Sequence, residues 1–401
     1  MSQDEIKRIA SNEVQEYIFT HQNADEKKLL LQRSEILGLS SSSIAQQIAI
    51  RRKAEMKLPL FYKTKGIVYP PSLNWEQSSS EATGNFKSEI LSREIGNGSL
   101  KVVDLTGGFG IDSFFISKKA EFVDYVEPNI NLLHIAQHNH FLLGAINIQY
   151  HLSKAEEFLV QCKTKYDLIY LDPSRRDSNA KKVFRLVDCE PNINNLLPRI
   201  FGFSKFVLIK TSPLLDIQQG LSESSSVKKV IVVSVNNECK ELLFLIQNGF
   251  SGEPIIETYN LDKLGSVKHT FSFTFNEERN TNSDFGEPNT YLYEPNTSIL
   301  KAGAYKKIGK NFGLLKLHVS THFYTSHLLK ENFPGRIFKI DQLEFDTKSF
   351  AEKKANVVTR NYPLKAEELR KKLGLSDGGE KYILGFSSRK KKYIVLTTRL
   401  V

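Results

Sequence analysis

Three acids, each closing an apolar run, mark where chemistry can sit in this sequence. Asp104 ends Val102-Val103 and is followed by Leu105-Thr106-Gly107-Gly108-Phe109-Gly110. Ile111-Asp112-Ser113-Phe114-Phe115-Ile116-Ser117 then restarts an apolar pattern at helical spacing. Glycines in such a turn let the backbone approach a ligand with no side chain in the way, and the helix start behind it offers free N–H groups to a polar or anionic ligand. Glu127 ends Phe122-Val123-Asp124-Tyr125-Val126 and precedes Pro128. It stands roughly 20 residues beyond Asp104, where a doubly wound fold places the carboxylate that holds ribose hydroxyls. Asp172 closes a third run, Tyr166 to Leu171, and opens Asp172-Pro173-Ser174-Arg175-Arg176-Asp177. Dinucleotide oxidoreduction does not call for that third acid.

The elements that must position these acids follow from the runs between Leu100 and Gly249. Strand-like runs fall at 101–105, 121–127, 145–150, 166–171, 204–210, 228–235 and 241–247, with helical stretches between most of them. That alternation predicts a parallel sheet with helices on both faces. Only Asn236-Asn237-Glu238-Cys239-Lys240 separates the last two runs, so they must pair antiparallel.

Together these segments resemble the class I S-adenosylmethionine (SAM) methyltransferases. Asp104 to Gly110 is similar to the first motif of that family in its D-L-x-x-G-x-G form, Glu127 to the second and Asp172-Pro173 to the fourth. A reversed final strand is a hallmark of the family's sheet. The expected class is therefore α/β: a Rossmann-like, seven-stranded methyltransferase sheet with an N-terminal helical region and small C-terminal α/β modules. The resemblance implies SAM as cofactor, bound by Asp104, Thr106, Gly108, Gly110, Asp112, Glu127 and Pro128. Asp104 would sit near the cationic amino group, the glycines would lie against the cofactor, and Glu127 would accept hydrogen bonds from both ribose hydroxyls. Many relatives carry Asp-Ala after the third strand; Lys154-Ala155 stands there in this chain, and no role is transferred to Lys154.

The resemblance places the catalytic turn at Asp172, Pro173, Ser174 and Arg175. In the amino-group methyltransferases this motif reads Asp/Asn-Pro-Pro-aromatic. The acid and a backbone carbonyl accept hydrogen bonds from the target NH2, and the aromatic ring stacks on the base. Here Ser174 replaces the second proline and Arg175 the aromatic. Asp172 keeps the acceptor role, whereas Arg175 would stack by its guanidinium plane or bind phosphate. Arg175-Arg176 suits RNA phosphate; the alternative is a salt bridge with Asp177 or Asp188. Methylation of a base nitrogen is the expected reaction.

The flanks extend the resemblance to nearly the whole chain. Residues 1–57 read as helices: Ile6, Ile9, Val14 and Ile18 form one, Leu29, Leu30, Arg33, Ile36 and Leu37 a second that Gly38 ends, and Ile44 to Ile50 a third capped by Ser41-Ser42-Ser43. Leu60 to Pro71 reads as an extended connector. Gln77-Ser78-Ser79-Ser80-Glu81-Ala82-Thr83, leading a helix toward Leu91, resembles the segment over the SAM pocket in a bacterial group of methyltransferases with a THUMP-like C-terminal domain. Glu277 to Pro288 is polar and reads as a linker. Phe285 to Ile340 resembles that group's ferredoxin-like insert, and Arg360-Asn361-Tyr362-Pro363-Leu364 with Glu367 to Leu373 its THUMP-like domain. The expected domains are 1–74 helical, 75–280 methyltransferase, 285–340 ferredoxin-like and 341–401 THUMP-like and RNA-binding.

Charge distribution agrees with a polyanion partner. Of the chain's formal +10, Phe285 to Val401 holds 22 Lys and Arg against 11 Asp and Glu, which leaves the remainder near neutrality. Such asymmetry suggests a polyanion-binding module beside a neutral catalytic one, so tRNA or rRNA is the expected partner. No stretch approaches the ~20 apolar residues of a membrane span, the N-terminus is acidic and polar, and Cys162, Cys189 and Cys239 form no framework, so a cytoplasmic protein is expected. Those cysteines lie outside the three motifs, which argues against cysteine-mediated C5 chemistry. His134 and His138 stand at i, i+4, but no third ligand accompanies them and no metal is expected. Two other readings remain: a methyltransferase of a protein or small molecule, against which the basic C-terminal part speaks, and a non-catalytic RNA-binding protein, against which Asp104, Gly108, Gly110, Glu127 and Asp172 speak. The sequence leaves the oligomeric state open.

Overall fold

The computed structural model describes residues 1–25, 29, 34–175, 185–348 and 350–400. They fall into two compact units, one of residues 1–230, 240–252 and 261–266, the other of 231–239, 253–260 and 267–401.

The first unit carries most of the α/β core, whose chain passes into the second unit over Ile231–Cys239. Its strands are β1 (Lys101–Asp104), β2 (Phe122–Val126), β3 (Ile148–His151), β4 (Leu168–Leu171), β5 (Phe206–Thr211), β6 (Val227–Val235) and β7 (Glu238–Gln247). They stand side by side in the order β6-β7-β5-β4-β1-β2-β3. β1 pairs in parallel with β2 and β4, β2 with β3, and β4 with β5; β7 runs antiparallel to β5. The expected seven strands, one of them reversed, are present, and Ile255–Leu261 and Val267–Thr274 extend the sheet to nine beyond β6. Val102, Val103, Ile169 and Leu171 are buried, as strands covered on both faces require. The turn between β6 and β7 is Asn236-Asn237, both at positive φ (49° and 64°), the backbone of a two-residue hairpin loop.

Helix α1 (Glu81–Ile95) precedes the sheet, and Ser80 and Thr83 form its capping box. Polar as this stretch is, Ala82, Thr83, Gly84, Phe86, Lys87 and Ser88 are all buried. Gly84 shows why: a Cβ there would stand 2.6 Å from the Phe115 ring, so only glycine lets α1 approach helix α2 (Ile111–Ser117) this closely.

The N-terminal region departs from the sequence reading in three places. Ile36 and Leu37, expected at the end of the second helix, lie in a small hairpin of Glu35–Ile36 with Leu39–Ser40, since Leu37 and Gly38 both take positive φ; Leu30 and Arg33 of that segment lie outside the described residues. The third helix runs Ser41–Lys57, and its cap is Ser40, whose side chain accepts from Ser43 N–H. The connector is not extended throughout, because Pro59 opens a helix, Pro59–Lys63. Ile6, Ile9, Val14, Ile44, Phe61 and Trp75 share one core with Phe109 and Phe114, so these helices pack against the glycine turn and α2.

In the second unit, the polar stretch after 277 is partly helical. Thr274 caps Phe275–Asn280 with a capping box completed by Glu277. Seven strands follow in one sheet: β8 (Tyr291–Pro295), β9 (Leu315–His318), β10 (Thr321–Ser326), β11 (Gly335–Gln342), β12 (Asn356–Arg360), β13 (Lys381–Ser387) and β14 (Lys392–Arg399). Their order is β9-β10-β8-β11-β14-β13-β12. β11 pairs with β8 on one side and β14 on the other, so the position 340/341 lies inside a strand that joins both halves. Buried Glu294 receives Arg336 from one neighbour and Arg360 from the far edge strand, Nε to carboxylate 2.7 Å in each case. No helix among the described residues is long and apolar enough to cross a membrane.

Candidate active site

The carboxyl ends of β1, β2 and β4 open on a cavity of about 410 Å³ in the first unit. Asp104, Thr106, Gly108, Gly110, Asp112, Glu127, Pro128, Asp172 and Ser174 all line it, so the structure brings together both sets of residues singled out from the motifs. Ligands of open α/β sheets bind at this edge.

The glycine turn is held from behind. Gly108 and Gly110 take φ of +58° and +83°. Tyr125 Oη donates to Gly108 C=O (2.6 Å), and His140 Nε2 lies 2.9 Å from Gly110 C=O. Burial lowers the His140 pKa to about 4, which keeps the ring neutral. A Cβ at Gly107 would stand 2.3 Å from the Tyr125 ring and one at Gly110 2.7 Å from His140, whereas one at Gly108 meets nothing closer than Thr106 C=O at 3.7 Å. Gly107 and Gly110 are therefore fixed by packing, and Gly108 faces open space.

Asp104 is 1% exposed. Its Oδ1 accepts from Thr106 N–H (2.9 Å) and its Oδ2 from Ser113 Oγ (2.5 Å). Burial lifts its pKa to about 7 against those two bonds. Glu127 accepts from Gly108 N–H and Asn129 N–H, one per oxygen, at 2.8 Å each. Burial raises it as well, partly offset by those two donors. A carboxylate with two N–H partners keeps acceptor capacity for further donors. Thr106 ties the first motif to the fourth, since its Oγ1 accepts from Asp172 N–H (2.6 Å).

Asp112 lines the same cavity but belongs to a buried ionic cluster. Its Oδ2 accepts from Ser79 Oγ (2.8 Å) and Tyr170 Oη (2.7 Å), and its Oδ1 lies 3.2 Å from Lys87 Nζ. Burial opposes its charge, yet Lys87 and Lys210 hold its pKa below the ordinary carboxylate value. Lys87, 0% exposed, reaches both oxygens of Glu241 (2.7 and 2.8 Å). Lys210 Nζ contacts Asp172 at 2.5 Å and lies 3.9 Å from Asp112. Burial works against the Lys210 charge, but Asp172, Asp112 and Glu241 outweigh it and raise its pKa above the usual lysine value. Lys87, Lys210 and Glu241 were missed from the sequence. A lysine closing the apolar Val207-Leu208-Ile209 at a sheet's carboxyl edge, and an acid opening the wholly apolar Leu242 to Ile246, are the signals that could have found them.

A second cavity, of about 300 Å³, adjoins this cluster; Asp172, Pro173, Ser174, Cys189, Lys210 and Pro213 are among its lining residues. Asp172, Ser174 and Gln77 line both cavities. Cys189, set aside from the motifs, thus stands beside the site. The backbone of Ser174–Arg175 pairs with Cys189–Glu190. Arg176, Asp177 and the Arg175 side chain, with the phosphate or base contacts expected there, lie outside the described residues. Lys154 and Ala155 line the first cavity. His138 Nε2 meets Gly66 C=O, His134 meets Gln3, and no group of three potential ligands is arranged to hold a metal among the described residues.

The first cavity fits SAM by its chemistry. Among the described residues, Asp104, Asp112, Glu127, Glu156, Asp172 and Glu190 line it against Lys154 alone of the lysines and arginines, a balance that suits a ligand carrying an ammonium and a sulfonium. Gly108 leaves room for close approach, and Gln77, Ser78 and Ser79, before α1, border the cavity where the resemblance places them.

Comparison with known proteins bears on the family. Residues 291–334 match a ferredoxin-like domain model and 335–399 a THUMP domain-like model. A solved structure from Porphyromonas gingivalis W83, described as a "putative methyltransferase", is 31% identical over the whole of both chains with a TM-score of 0.85. An uncharacterized SAM-dependent methyltransferase of Mycobacterium tuberculosis is 22% identical over 61% of this chain, and the match spans 65% of that relative's length. An uncharacterized RNA methyltransferase of Mycoplasma mobile is 30% identical over 28% of this chain and 31% of its own. The fold, the motifs and the end-to-end match agree: this chain belongs to the class I SAM-dependent methyltransferases of the bacterial group that carries a ferredoxin-like module and a THUMP-like domain.

Proposed function

We propose that the protein transfers a methyl group from SAM to RNA. The observation that carries this reading is the meeting of two cavities at Asp172, one suited to a cationic cofactor and one lined by Lys210, Arg185 and Lys240. SAM supplies an electrophilic methyl on sulfonium; the protein's contribution is to align an acceptor with it and to receive a proton. Thr106 fixes the Asp172 backbone, Lys210 fixes its carboxylate, and burial raises its pKa against the pull of Lys210. A raised pKa makes Asp172 a better proton acceptor than an exposed aspartate.

RNA as substrate is supported by the charge excess after Phe285, by the THUMP-like match and by the description of the Mycoplasma mobile relative. A base amino group, the acceptor expected from the motif, and a hydroxyl can each donate to Asp172. The test incubates full-length protein and methyl-labelled SAM with total RNA, protein extract and small metabolites from cells lacking the gene. Label in RNA is the expected result; label in the protein or metabolite fraction alone would overturn RNA as substrate.

A further inference from the structure

The charges beside Asp172 narrow the acceptor atom. Lys87, Asp112, Asp172, Lys210 and Glu241 form one connected cluster, and with all five ionised, two lysines face three carboxylates and leave one negative charge. Of these groups, Lys210 and Asp172 line the second cavity, where an acceptor would stand.

A nitrogen and an oxygen acceptor respond oppositely to a cation at this place. An amino nitrogen attacks as a neutral group and gains positive charge as the N–C bond forms, so an ammonium a few ångströms away opposes it. A hydroxyl oxygen must lose its proton, and negative charge builds on oxygen as it does; a fixed ammonium stabilises that charge, and more strongly in a site of low dielectric. Among the described residues lining the second cavity there is also no aromatic ring on which a base could stack.

We propose that the acceptor is a ribose hydroxyl of RNA and that Lys210 is the catalytic cation that stabilises its oxygen while Asp172 takes the proton. This rests on RNA being the substrate. The hydroxyl oxygen forms a bond to the methyl carbon, the carbon–sulfur bond breaks with its electron pair going to sulfur, and the hydroxyl proton passes to Asp172. The cluster then holds no net charge, and Asp172 returns its proton to water. Lys87 offsets one of the two charges on Glu241 and Asp112 from behind; once Asp172 has taken the proton, Lys210 faces the acceptor with only Asp112, 3.9 Å away, against it.

The first experiment identifies the product. Full-length protein methylates total RNA from cells lacking the gene, the RNA is digested to nucleosides, and mass spectrometry locates the added methyl. A methyl on the ribose fragment is expected. A methyl on the base fragment overturns this proposal and leaves RNA methylation standing; no methyl in RNA overturns both. The second experiment concerns Lys210. K210M should bind SAM within a few-fold of the wild type by calorimetry and lose roughly 10²-fold or more of the single-turnover rate, the scale for removing one fixed donor from a developing oxyanion. K210R keeps a cation and should recover part of that loss. Full activity in K210M removes Lys210 from the reaction. If K210M does not fold, K210Q, which keeps a hydrogen-bond donor to Asp172 without the cation, takes its place, and full activity in K210Q does the same.

Discussion

Gly108 and Glu127 are neighbours through one hydrogen bond, and substitutions at the two should weaken cofactor binding in different ways. G108V adds bulk where the backbone faces the cavity and strains a positive φ, so calorimetry should find no SAM binding in a folded protein. E127A removes the carboxylate expected to hold the ribose hydroxyls and should weaken SAM by about 1.5–3 kcal/mol. Unchanged affinity in both would overturn the pocket assignment. Asp104 brings pH into play. Its folded pKa of about 7 lies above the ordinary value of 3.8, so its burial favours the protonated form. Its contribution to stability is fully present below the unfolded pKa and is lost as pH rises through about 7. A cationic amino group beside Asp104 favours the ionised form. The rise in melting temperature that SAM produces should therefore be larger at pH 8 than at pH 6; an equal rise would place the amino group away from Asp104.

At the scale of elements, α1 and β7 are joined by a buried ion pair, Lys87 with Glu241. K87M leaves Glu241 and Asp112 buried without their cation, and such losses cost about 3–5 kcal/mol. Denaturant unfolding should show that loss, and the double substitution K87M/E241L should recover part of it; no recovery would mean the pair does not act as a unit. The alternation of strands and helices was legible because period and turn signals are local: each of the seven expected strands is present within a few residues, and the short link at Asn236-Asn237 dictated the antiparallel pair. The acids at strand ends were legible for the same reason. Lys87 and Glu241 were not, because their meaning is a contact between residues far apart in sequence, and each alone reads as a surface charge. The hairpin at Leu37-Gly38 was missed because a leucine rarely takes positive φ, and nothing local announces it.

For the whole molecule, the charge of the C-terminal part sets the expected behaviour toward RNA. The turn at Ser388 to Lys391 is held by Ser388, whose Oγ accepts from Lys390 N–H and Lys391 N–H, and Arg389 lies over the Phe285 ring. Lys390 stays exposed on this fixed turn and Lys392 at the start of β14. K390E/K392E should keep SAM affinity and reduce both RNA affinity and the steepness of its fall with salt. Binding that keeps the wild-type salt slope would place the RNA elsewhere.

β11 carries one further consequence. It is the first strand of the THUMP-like match and also the hydrogen-bonded neighbour of β8 in the ferredoxin-like match. At Gly335 the two backbones come so close that a Cβ would stand 2.0 Å from Glu294 C=O. The seam between the two family modules thus runs through a strand pair, where a linker would otherwise be looked for. Neither module is a transplantable part: a graft cut at 334/335 would arrive with a bare sheet edge and an orphaned Glu294, a template for pairing with other chains.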